Sequence, residues 1–302
     1  HSFGNYRELL TDVTRSSAMG YFLTYIGSSA DAPDENYARE LTQLYTVGLY
    51  ELNLDGTAQT DDSGNPIPSY DQQHVTDLSK VFTGWALDDL VPDSTGRHPR
   101  FGATGKTDNC WVNPLVFHSD HHDTGSTLDL IGDASMATTA DGSADIENAL
   151  DILFANRNVA PYISRHLIMR LVTSNPTPGY IERVATVFND NGNGVKGDLK
   201  AVVKAILLDD EARGVNQVAN FGKVDEMVTA FSHFMSFFHA RPSPQMSLRV
   251  RVSKGVYETR EPTDMYWINS GRDFGQTPLG APDVFNFYSN EFVPSDSYFS
   301  TN

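Results

Sequence analysis

A single cysteine, Cys110, in 302 residues excludes an intramolecular disulfide, a multi-cysteine zinc site and a paired-cysteine haem attachment. In the loop TDNCWVNP that thiol reads as structural. No apolar run approaches the roughly 18 residues a bilayer-crossing helix needs, and no signal peptide is present. Basic residues are scarce, 22 Lys and Arg against 39 Asp and Glu, for a formal charge of −17. That field repels phosphate backbones and anionic lipid, so nucleic acid and membrane surfaces are disfavoured partners. It suits cations, and solubility outside the cell. There is no G-x-S-x-G elbow and no H-E-x-x-H helix. GATGKT (102–107) mimics a phosphate loop, but Arg100 stands where its first glycine belongs and no apolar strand precedes it. The chain opens HSFGNYREL without methionine and already in helical pattern, which suggests a fragment or processed form of a longer chain.

What remains is helical periodicity broken by polar loops. Leu9, Leu10, Val13, Met19, Phe22 and Leu23 predict a helix or helix pair over 6–26. Asp31 or Asp34 is placed to cap a second helix carrying Tyr37, Leu41, Leu44 and Tyr45, which Gly48 stops. Val75, Leu78, Phe82 and Trp85 predict another over 74–85. Further on, Ile146 to Phe154, Val159 to Leu171, a stretch opened by Pro178, and a stretch capped by Asp198 define four more, with a last one over 223–239. Turn signals make 51–71 a hairpin-like excursion, 88–142 is a long loop region, and LRVRVSKGVYE adds a small hairpin. The expected fold is therefore mainly α, a multi-helix bundle with long loops and one or two short β-hairpins. Nothing demands a boundary within 1–302, so a single domain is expected.

DENYARELTQLYTVGLYELNLDGT resembles the signature of the bacterial family called domain of unknown function 1800. The likeness continues in order through VFTGW (81–85), HHDTGS (121–126), NVAPYISRHLIMRLVTSNPTPGYIERVATVFNDNGNGVKGDLKAVVKAILLDDEAR (158–213), FGKVDEMV and APDVFNFYSNEFVPSD. The resemblance implies an exported, periplasmic or extracellular protein with a further N-terminal portion. It also implies a neighbouring exported protein of sulfatase or phosphatase type as a partner, and it names no activity.

Chemistry concentrates in two places. FHSDHHD sets His118, His121, His122 and Asp123 within six positions, ligand types suited to zinc or another transition metal. His122 and Asp123 fall on the family loop. In FNDNGNGVKGDL, Asn189, Asn191, Asn193 and Asp198 echo a calcium loop, although Lys200 stands where a bidentate Glu belongs. The plainer reading of that stretch is a turn that stops one helix and caps the next. Two functions follow. One is a cation-binding exported protein that acts by binding a partner or polymer. The other is a metal-dependent hydrolase of an extracellular anionic or carbohydrate substrate, with Glu40 as general base and Arg39 or Arg165 orienting an anionic group.

Overall fold

The computed structural model describes residues 3–88, 111–173 and 175–213 in full, and 248–253 and 256–260 as backbone. The chain divides into two units, His1–Ile168 with Pro176–Arg213, and Met169–Asn175 with Gly214–Asn302.

The first unit is mainly helical. The 6–26 segment is a helix pair, α1 (Tyr6–Thr14) and α2 (Ser17–Phe22), the former capped by Asn5 onto the Arg7 amide. Helix α3 (Asn36–Gln43) has its N-cap at Glu35, one residue past Asp34 and four past Asp31, and Asp34 accepts from the Asn36 amide instead. Its stop is as expected. The Val47 and Gly48 amides both return to the Thr42 carbonyl, and Gly48 takes φ +82°. Helix α4 (Gln72–Val81) begins earlier and ends earlier than its apolar spacing predicts, because Asp71 and His74 form a reciprocal cap that fixes the start. Gly84, at φ +81°, then turns the chain into β1 (Trp85–Ala86). A Cβ on Gly84 would sit 2.7 Å from the His118 carbonyl oxygen, so the turn packs backbone against backbone.

The 51–71 excursion is a folded-back ladder. Glu51 donates to Ile67, Gln59 to Glu51 and Ile67 to Gln59, around turns closed at Asn53–Thr57 and Asp61–Asn65. Asn158 pins it, accepting from the Leu52 amide and donating to the Val47 and Tyr50 carbonyls. Within 111–141 the long loop region contains β2 (Val116–Phe117), antiparallel to β1, a 3-10 turn at Ser119–His121, and a hairpin of β3 (Thr127–Asp129) and β4 (Ser135–Ala137).

Helices α5 (Gly142–Ala155), α6 (Val159–Leu171), α7 (Pro178–Asn189) and α8 (Leu199–Leu208) follow the expected spacing. Asp198 caps α8 through the Ala201 amide, and the Tyr180 hydroxyl ties α7 to the Ile206 carbonyl at 2.7 Å. Around α1, α3, α4 and α5 the core is fully buried and rich in aromatics: the Tyr25, Tyr37 and Phe82 rings stack 4.6–6.0 Å apart. Of the second unit, the backbone shows the antiparallel hairpin β5 (Leu248–Ser253) and β6 (Val256–Arg260), where one was expected. The helix expected over 223–239 lies outside the described residues. Among the described residues no helix is long and apolar enough to cross a membrane.

Candidate functional site

The His–Asp loop is drawn into the interior. His122 is 5% exposed. Its Nδ1 lies 2.8 Å from the Thr83 carbonyl oxygen and its Nε2 3.0 Å from Asp145 Oδ2. Both ring nitrogens therefore face oxygen partners, which hold the ring from two sides. Asp145, fully buried, also accepts from the Thr139 amide at 2.7 Å and hydroxyl at 3.0 Å. Phe117 packs edge-on against the imidazole at 5.0 Å. A metal would need a ring lone pair, and both nitrogens are already committed.

Asp123 accepts from the Thr138 hydroxyl at 2.8 Å, while its amide donates to the Thr83 hydroxyl. His118 and His121 border a cavity of about 40 Å³ with Gly27, Ser28 and Gly84, room for water rather than substrate. Among the described residues, no three His, Cys, Asp or Glu side chains are grouped to hold an ion.

Glu40 belongs to a different neighbourhood. Burial raises its carboxyl above the usual range, with Arg39 offsetting in part, and its Oε2 is buried without a hydrogen-bond partner among the described residues. Around it stand tyrosines. After burial, the Glu40 charge further raises the Tyr45 hydroxyl, and it contributes at Tyr70 and Tyr162. The Tyr70 and Tyr162 hydroxyls donate to the Gln43 side-chain and backbone oxygens. Arg39 bonds Glu35 at 3.1 Å and Gln72 at 3.0 Å, an ordinary half-exposed ion pair. Arg165 acts electrostatically on Tyr162.

Tyr70 precedes α4 and Thr83 follows it. A helix of ten residues is about 15 Å long, so the surroundings of Glu40 and of His122 lie at its opposite ends. Glu40, His122 and Asp123 are not brought to one centre.

In the asparagine-rich loop, Asp190 Oδ1 accepts from the Gly192 and Gly194 amides, and Asn191 accepts from Asn193 and donates to Asp198 at 2.6 Å. Those bonds, with the α8 cap, hold Asp198 below the usual carboxylate range. Asn189 ends α7 and is exposed. The oxygens that calcium would use are largely engaged in closing the turn.

Sequence reasoning missed a cleft of about 700 Å³ between α1, α2, the start of α5 and the 111–117 segment. Its aromatic residues are Trp85, Trp111 and Phe117, and its polar ones include Asp12, Arg15, Ser17, Asn113 and Ser143. Trp111 is 41% exposed and meets the half-exposed Tyr21 edge-on at 5.3 Å. The wall is fixed: Ser17 donates to the Trp111 carbonyl, the Leu115 amide to Arg15, and Asn113 to Asp88. Two donors in it, Arg15 Nε and Trp85 Nε1, are buried with no acceptor among the described residues. The signal available in the sequence was the placement of two of its three tryptophans, Trp85 just before the long loop region and Trp111 within it.

A mainly helical protein, with the NYARE helix at its core and the HHD loop folded inward, is the class these features define. The chain belongs to the family described as protein of unknown function (DUF1800), whose model matches residues 1–302. No curated protein and no solved structure matches it.

Proposed function

We propose that this chain is an exported, non-enzymatic binding protein that takes a neutral saccharide into the Trp85–Trp111 cleft. The observation that carries the reading is the cleft's lining. An exposed indole offers an apolar face for the C–H side of a sugar ring, and hydroxyl, amide and guanidinium groups stand nearby for its hydroxyls. At about 700 Å³ it falls within the range of small-ligand sites.

Charge decides between neutral and acidic ligands. Arg15 is already bonded to Glu147 at 3.1 Å, Asp12 borders the cleft, and the chain carries −17 overall. A polyanion would be repelled. The likeness to exported bacterial proteins supports a periplasmic or extracellular setting, where a sulfatase- or phosphatase-type neighbour would be the partner. A metal-dependent hydrolase built on Glu40, His122 and Asp123 has less support, since those groups stand at opposite ends of α4.

Calorimetric titration of the whole chain with neutral oligosaccharides tests the reading. Binding that Trp111→Ala weakens at least about tenfold supports it, which corresponds to about 1.4 kcal/mol. No binding across the panel, or binding indifferent to Trp111, overturns it.

A further inference from the structure

The two unanswered donors in the cleft narrow the ligand further. Arg15 Nε and Trp85 Nε1 are buried, neither has an acceptor among the described residues, and the guanidinium carbon lies 5.9 Å from the centre of the indole ring. A buried donor without an acceptor is costly, and native proteins keep such groups rarely. Both are acceptor-seeking, and among the residues bordering the cleft they are the buried side-chain atoms without a partner. The complement is a group that only accepts.

A sugar hydroxyl can accept from this pair but brings a donor of its own that needs a further partner. A carboxylate accepts strongly, but Asp12 borders the same cleft and Glu147 already holds the other end of Arg15. A neutral carbonyl oxygen has two lone pairs and no charge, so it can accept from two donors. Leu115 and Phe117, on the same wall, supply apolar surface for a small alkyl group beside that carbonyl.

Resting on the saccharide reading above, we propose that the cleft selects N-acetylated sugars, the acetamido carbonyl accepting from Arg15 Nε and Trp85 Nε1 and its methyl packing on Leu115 and Phe117. Arg15 is the movable cover. Its side chain is 32% exposed, and rotation about its long stem opens the donor pair to a ligand while Glu147 retains the guanidinium by its outer nitrogen.

The test compares N-acetylglucosamine trimer with cellotriose, which has the same backbone and hydroxyls in place of acetamides, by calorimetry on the whole chain. The expected result is a preference of about tenfold or more for the N-acetylated trimer. Trp85→Phe, which keeps an aromatic ring and deletes the donor, is expected to cut that preference to about threefold or less. Should Trp85→Phe fold poorly, Arg15→Met gives the same readout from the other donor. Equal affinity for the two trimers overturns the acetamide assignment and leaves the saccharide reading standing. Binding of neither, nor of any other neutral oligosaccharide, overturns both. A preference unchanged in Trp85→Phe and Arg15→Met overturns the donor pair as its cause.

Discussion

Replacing Asp145 by alanine probes the buried centre of the His–Asp loop. The carboxylate accepts three hydrogen bonds, from His122 Nε2 at 3.0 Å and from the Thr139 amide and hydroxyl at 2.7 and 3.0 Å, and neither it nor the imidazole is exposed. Truncation strands the imidazole in the interior and takes the acceptor from the Thr139 amide. A stranded buried donor costs about 1–3 kcal/mol. For a unit of roughly 200 residues, that loss lowers Tm by about 2–12 °C. Urea denaturation of the wild type, Asp145→Ala, His122→Ala and the double variant completes a cycle. If the pair is structural, the double variant loses much less than the two single losses combined. Additive losses, or an Asp145→Ala cost below about 1 kcal/mol, would refute the reasoning.

Three further outcomes follow from the same geometry. Glu40 has its carboxyl raised in the fold by burial, so the stability it allows is fully present below its unfolded value, about 4.3, and is lost as pH rises through the raised folded value; thermal scans should show Glu40→Gln more stable than wild type at pH 7 and equal to it below about pH 4. Asp209 is held low, chiefly by its two 2.8 Å bonds from Arg183, so its contribution is present above about pH 3.9 and lost as pH falls through the depressed folded value. With Arg183 half-exposed, Arg183→Ala should cost about 1 kcal/mol at pH 7 and flatten acid denaturation in that window. Gly84→Ala forces a Cβ to within 2.7 Å of a backbone oxygen at φ +81°, and chemical denaturation should register about 2 kcal/mol or more of lost stability.

The legible parts of the fold were those governed by local rules. Helices α5 to α8 announce themselves by apolar spacing, Pro178 and the Asp198 cap, and Gly48 marks its stop because the chain there must turn left-handed. The start of α3 was misplaced because Asp34 serves the same amide row one residue before the cap. Trp85 looked helical by spacing, yet its pairing with Phe117 32 residues on makes it a strand, and spacing carries no record of a distant partner. The same limit hid the candidate site. FHSDHHD is conspicuous as a run, but Asp145 and Thr83, which decide what His122 does, arrive from α5 and the end of α4. The cleft assembles Arg15, Trp85 and Trp111 from three separate segments, so no window of sequence contains it.

The most direct test of a saccharide-binding cleft is the indole N–H spectrum of ¹⁵N-labelled protein, with Trp85 assigned through Trp85→Phe, during titration with N-acetylglucosamine trimer. The account predicts that the Trp85 signal moves downfield in a saturable, dose-dependent way as its orphaned donor gains an acceptor, and that Trp111→Ala moves the midpoint to at least about tenfold higher concentration. A Trp85 signal that stays fixed at concentrations where calorimetry shows the protein saturated would contradict it.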